Sequence, residues 1–125
     1  MTRHAITSEK LAPVAGPFSP AMKATSAIYL SGQVAQDPVT GKLIPGDVKA
    51  QAEQIFANLK VVLEAAGKTL ADVVRVGVYL TDISDFAAVN EVYARHFNTP
   101  FPARTCIGVA ALPLGATVEI DLIAN

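Results

Sequence analysis

Apolar positions recur along this chain with two different periods, and the switches between them divide it into elements. Val48, Ala52, Ile55, Leu59, Val62 and Ala66 return every three or four residues, which predicts an amphipathic helix. Asp47 supplies its N-cap and Gly67 its stop. Over residues 73–80 the period becomes two, with Val74, Val76, Val78 and Leu80 alternating with Arg75, Gly77 and Tyr79, as in a strand. Asp82, Ser84 and Asp85 then mark a turn into a second helix, whose apolar stripe is Phe86, Val89, Tyr93 and Phe97. The run Asn98-Thr99-Pro100-Phe101-Pro102 ends it.

Upstream, residues 13–20 hold prolines and Gly16 around Phe18 and read as an ordered irregular loop. Residues 27–34 form a strand rich in β-formers, interrupted at Gly32, where a side chain would obstruct close approach. A turn at 37–41 follows. Downstream, residues 102–110 and 117–122 read as two strands joined by a turn at 113–115. The order is a β-rich start, helix, strand, helix, strand, strand, which predicts one α+β domain over residues 1–125 whose two helices cover a single face of the sheet. Alternation then suggests that Val74/Val76/Val78/Leu80, Thr105/Ile107/Val109 and Val118/Ile120/Leu122 turn toward the helices. Arg75, Gly77, Tyr79, Arg104, Cys106, Gly108, Glu119 and Asp121 are left on the opposite face, a mixture that self-association would cover. On this reading Arg75 and Asp121 are candidates for pairing across subunits.

Charge changes the picture at one point. Arg104 and Glu119 sit amid apolar neighbours in the last two strands, and a charge in a sheet interior is costly to desolvate unless it meets a partner. They read either as a structural ion pair at a subunit contact or as groups that recognise or transform a ligand. Elsewhere charge excludes more than it suggests. Ten basic and eleven acidic residues with no Lys/Arg run argue against nucleic acid as partner. No segment has the length of a membrane span, and residues 1–10 lack a signal-peptide core, so the expectation is a cytoplasmic protein with no membrane partner. The single cysteine, Cys106, fits a reducing compartment. It reads as an inert thiol, because His4 and His96 lie in a tail and at a helix end, where neither is placed to activate it. His96 is explained by the helix dipole or by solvent. No spacing of His, Cys, Asp or Glu suggests a metal site.

Four segments carry a resemblance: Gly16-Pro17-Phe18-Ser19-Pro20-Ala21, Tyr29-Leu30-Ser31-Gly32-Gln33, Asn90-Glu91-Val92-Tyr93, and Pro102-Ala103-Arg104-Thr105-Cys106 with Val118-Glu119-Ile120. Together they resemble the RidA (YjgF) family over nearly the whole chain. The resemblance implies a chorismate-mutase-like mixed sheet with two helices on one face. It also implies a homotrimer whose sheets form a central barrel, with sites in clefts between subunits. The activity implied is cofactor-free deamination of reactive 2-enamine/2-imine acids, such as 2-aminoacrylate/2-iminopropanoate and 2-iminobutanoate, to 2-oxo acids. In this resemblance Arg104 falls on the carboxylate-binding arginine and Glu119 on the water-positioning glutamate. Ser31 and Gly32 fall on the pocket floor and Cys106 on the pocket lining. Phe18 stands where the family often has tyrosine, so that hydroxyl is absent. Asn90 is either a helix-surface amide or a pocket residue, and Phe18 and Tyr29 are either packing residues or cleft walls. Besides the enzyme, two other readings stay open: a non-catalytic module that binds a carboxylate metabolite or another protein, and an endoribonuclease, which the missing basic stripe disfavours.

Overall fold

Two crossovers that step the same way along one sheet decide the architecture of the computed structural model, which describes residues 2–125. The elements are β1 (Arg3–Ile6), β2 (Ala21–Ala24), β3 (Ala27–Gln33), α1 (Val48–Ala65), β4 (Val73–Leu80), α2 (Phe86–His96), β5 (Ala103–Gly108) and β6 (Val118–Ala124). The six strands lie in the order β1-β2-β3-β6-β4-β5, antiparallel throughout except for the parallel β4–β5 pair. The chain passes from β3 over β6 to β4 through α1, then from β4 to β5 through α2. Crossovers that share a hand and a direction put their helices on the same face, so one face is covered and the other is left open.

Local sequence accounts for the helix ends. Asp47 Oδ1 accepts a hydrogen bond from the Ala50 amide at 2.9 Å. At the other end Gly67 takes φ 73°, and the Lys68 amide closes back onto the Leu63 carbonyl at 2.9 Å. Asp82 accepts from the Ser84 amide and nucleates the single 3-10 turn that leads into α2. Between helices and sheet, Ile55, Phe56, Leu59, Val76, Val78, Leu80, Ile120 and Leu122 are fully buried. Burying each such side chain stabilises the fold by about 1.5–3 kcal/mol. Two buried polar side chains are satisfied: Gln51 accepts from the Thr117 amide and hydroxyl, and Asn58 donates to the Gln36 carbonyl. None of the described helices is long and apolar enough to cross a membrane.

Three expectations about side-chain direction need correction. Val74 does not face the helices: β4 bulges against β6 between Val73 and Arg75, and Val74 emerges 50% exposed. On β5 the assignment of faces is reversed. Arg104 lies beside Val76, Cys106 beside Val78 and Gly108 beside Leu80, and residues in register on parallel strands share a face. Arg104, Cys106 and Gly108 are therefore on the helix side, while Thr105 and Ile107 turn to the open face. A slip of one residue inverts the facing of a whole strand. His96, finally, is neither free in solvent nor held only by the dipole. It stacks on Phe56 at 4.4 Å, and its Nε2 meets the Glu53 carboxylate.

Candidate active site

One half of the candidate site is a cleft of about 490 Å³ at the end of β3, walled by the irregular loop and by the turn before β6. Phe18, Ser31, Gly32, Leu114 and Glu119 line it. The Ser31 hydroxyl donates to the Ser19 carbonyl at 2.6 Å and the Ser31 amide to the Pro20 carbonyl at 2.9 Å, so this residue pins the loop that presents Phe18. Phe18, 52% exposed, is a wall rather than a packing residue. Leu114 holds φ 60°, a left-handed conformation that costs a branched residue about 1–2 kcal/mol and turns its side chain to the cleft. Gly32 lies under Glu119: a β-carbon there would come within 2.7 Å of Glu119 Oε2.

Glu119 is half-buried and, among the described residues, forms no ion pair and no side-chain hydrogen bond. Burial raises its pKa above the ordinary glutamate value, and the nearby Asp121 raises it further. Asp121 accepts from the Tyr79 hydroxyl at 2.8 Å, which together with burial lifts the tyrosine pKa as well. A methyl at position 77 would collide with both Asp121 and Tyr79, so Gly77 makes room for the pair. Within the chain Asp121 thus bonds Tyr79, and Arg75 donates to Thr105 Oγ1 at 2.9 Å.

The other half lies across the sheet. Arg104 Nη1 donates to Asn90 Oδ1 at 2.8 Å, and the guanidinium carbon sits 4.7 Å from the Tyr93 ring centre and 5.4 Å from that of Phe86. Asn90 is therefore no idle surface amide; it holds the arginine. Cys106, two positions on along β5 and on the same face, packs against the core. Burial pushes its thiol pKa up, against the pull of Arg104, which agrees with an inert thiol, and Cys106 is not among the residues lining the cleft.

Phe18, Ser31, Gly32 and Glu119 come together in the cleft, and Arg104, Asn90 and Cys106 come together on the helix side at the sheet edge. Within one chain the halves do not meet. Glu119 pairs in register with Tyr79 on the open face and Arg104 with Val76 on the covered one, with β4 between their strands. Sequence reasoning missed Leu114 and the aromatic neighbours of Arg104. A signal for the latter exists in the single amide, Asn90, set between Phe86 and Tyr93 at helical spacing.

Comparison with known proteins supplies context for this arrangement. Residues 8–125 match the family model described as Endoribonuclease L-PSP. Protein DfrA of Myxococcus xanthus is 48% identical over 126 aligned residues, covering 99% of this chain and 96% of its own. A Capra hircus protein named 2-iminobutanoate/2-iminopropanoate deaminase is 44% identical over 124, covering 99% and 90% respectively. The crystal structure of RidA from an Antarctic Psychrobacter bacterium superposes with a TM-score of 0.92 at 47% identity, covering 97% of this chain and 98% of that one.

Proposed function

The chain belongs to the Endoribonuclease L-PSP (YjgF/RidA) family, and from that membership and the placement of its charged side chains we propose that it hydrolyses imine and enamine tautomers of small 2-oxo acids. On this reading 2-iminopropanoate and 2-iminobutanoate yield the 2-oxo acid and ammonia. Each site is completed by a second copy of the chain, within a homotrimer whose sheets close into a central barrel.

The observation that carries this reading is that Arg104 and Glu119, on opposite faces of one sheet, each lack an ionic partner among the described residues. A half-buried carboxylate and a cradled guanidinium with spare donors are complementary, and only another copy brings one to the other. The open face supports association too, since Ile107 exposes apolar surface in register with Tyr79 and Tyr29 exposes more on β3.

The chemistry asks little of the protein. Arg104 presents a planar fork that takes an α-carboxylate through two parallel hydrogen bonds. Held there, the substrate offers its C=N carbon to a water beside Glu119. The carboxylate takes a proton from the water as its oxygen bonds to carbon, and the C=N electron pair moves to nitrogen, which gives a carbinolamine. Glu119 returns that proton to nitrogen, which completes the neutral carbinolamine, then takes the hydroxyl proton and delivers it to the same nitrogen, so that the carbonyl forms as the C–N bond breaks and ammonia leaves. Orientation and one proton shuttle suffice, and no metal or organic cofactor is called for. The cleft walls, Phe18 and Leu114, would contact the aliphatic end of the acid.

Generating the imine with a threonine dehydratase and following release of the 2-oxo acid tests the proposal. Acceleration by the wild type that disappears in Arg104→Ala is expected. A wild type that gives no acceleration, or an Arg104→Ala variant as fast as wild type, overturns it.

A further inference from the structure

Arginine carries about 2 kcal/mol of rotamer entropy, so a carboxylate anchor is effective only if something other than the ligand holds it. In this chain α2 does so. Phe86, Asn90 and Tyr93 fall at i, i+4 and i+7 and form one stripe along the helix beside β5. We propose that Phe86 and Tyr93 form an aromatic shelf that, together with Asn90, fixes the Arg104 guanidinium in a carboxylate-accepting orientation, which makes both rings positioning residues for substrate recognition. The inference rests on the reading of Arg104 as the carboxylate anchor.

The geometry fits that task. Attraction to a ring face uses no N–H, so the two rings hold the cation without consuming its donors. Asn90 takes one donor from Nη1, and among the described residues the guanidinium makes no other hydrogen bond, which leaves donors for a carboxylate. The shelf is itself anchored: Tyr93 tilts against Phe97 at 4.6 Å and meets Phe56 edge-on at 6.1 Å. Its hydroxyl is the informative detail. The Tyr93 oxygen is buried and has no hydrogen-bond partner among the described residues, so it contributes nothing to holding Arg104, and the ring is the working part.

Calorimetric affinity for 2-oxobutanoate, with kcat and KM for imine hydrolysis, tests the shelf in Tyr93→Leu, Tyr93→Phe, Phe86→Leu and Arg104→Ala. Loss of the Tyr93 ring is expected to weaken affinity and raise KM about tenfold, with a smaller effect on kcat. Tyr93→Phe, which keeps the ring, restores the affinity. Phe86 is 42% exposed, so Phe86→Leu leaves the core intact and is expected to weaken affinity about threefold. If Arg104→Ala loses affinity while Tyr93→Leu and Phe86→Leu, folded and assembled, keep it, the shelf is overturned and the anchor stands. A Tyr93→Phe variant as weak as Tyr93→Leu also overturns the shelf, because the hydroxyl would then be responsible. If Arg104→Ala itself binds as well as wild type, the anchor reading fails and the shelf with it.

Discussion

Gly32 and Glu119 are in such close apposition that the carboxylate occupies the space a β-carbon at position 32 would need, with Glu119 Oε2 only 2.7 Å from it. The glycine in β3 is therefore not a strand break but the floor against which the Glu119 carboxylate is set. The strand continues past it to Gln33, with an irregularity in its pairing to β6 between Leu30 and Gln33.

Gly32→Ala should move Glu119 without unfolding the protein, because the atoms met are the outer ones of a flexible side chain. Stability is expected to stay within about 1 kcal/mol of wild type. Imine hydrolysis should fall at least about tenfold, since small misplacements of a catalytic group are costly. Urea unfolding and the dehydratase-coupled assay check the two halves of this statement, and undiminished turnover would mean that the position of Glu119 is unimportant.

Because Arg104 and Glu119 occupy opposite faces of one protomer, subunits disabled at one should complement subunits disabled at the other. Arg104→Ala and Glu119→Gln chains, inactive alone, are unfolded together and refolded in equal amounts. Each site that draws its arginine from one copy and its acid from another is intact in about one quarter of cases under random mixing. Recovered activity near that fraction is expected, and a mixture as inactive as its parents would place both residues in sites built from a single chain.

The raised pKa of Glu119 fixes the sign of a pH effect. The folded state binds this proton more tightly than the unfolded chain, so the stability it contributes is complete below the unfolded value and declines as pH rises through the folded one. Glu119→Gln lacks that decline, and its urea midpoint should gain on that of the wild type as pH increases; parallel curves would show an unperturbed carboxyl. The kcat/KM of the wild type should rise with the ionisation of Glu119, with a midpoint above the ordinary glutamate range that Asp121→Asn lowers.

Phe56 is fully buried beneath Tyr93, His96 and Phe97. Phe56→Ala should cost about 3–5 kcal/mol by the cavity it leaves, measurable by chemical denaturation. Since α2 loses its seat, affinity for 2-oxobutanoate should weaken along with stability. A loss under about 1 kcal/mol would mean that the helices repack to close the cavity.

Much of the architecture was legible because its causes are local. The Asp47 cap, the Gly67 stop, the Asp82 turn and the helical periods each depend on residues a few positions apart, and all recur in the structure. The charged candidates were legible too, since Arg104 and Glu119 sit between apolar or small neighbours in their strands. The faces of β5 were not: Arg104, Cys106 and Gly108 against Thr105 and Ile107 gives no contrast strong enough to say which set is covered. The bulge at Val73 to Arg75 was equally invisible, because it depends on how β4 pairs with β6, forty residues and more away in sequence.

By itself, then, the sequence determined the two helices, the strands from β3 onward and their order, the layering of both helices on one side of a sheet, and which side chains bring charge into it, whereas β1, which takes His4 out of the expected tail, and β2 emerged only in the structure. Tertiary structure alone decided that the arginine points to the helix side, onto Asn90, Tyr93 and Phe86, while the glutamate points to the open side over Gly32. The reason is physical: periodicity and capping are set by interactions within a few residues, whereas strand register is chosen by the summed pairing of distant segments, and a shift of one residue there reverses the direction of every side chain.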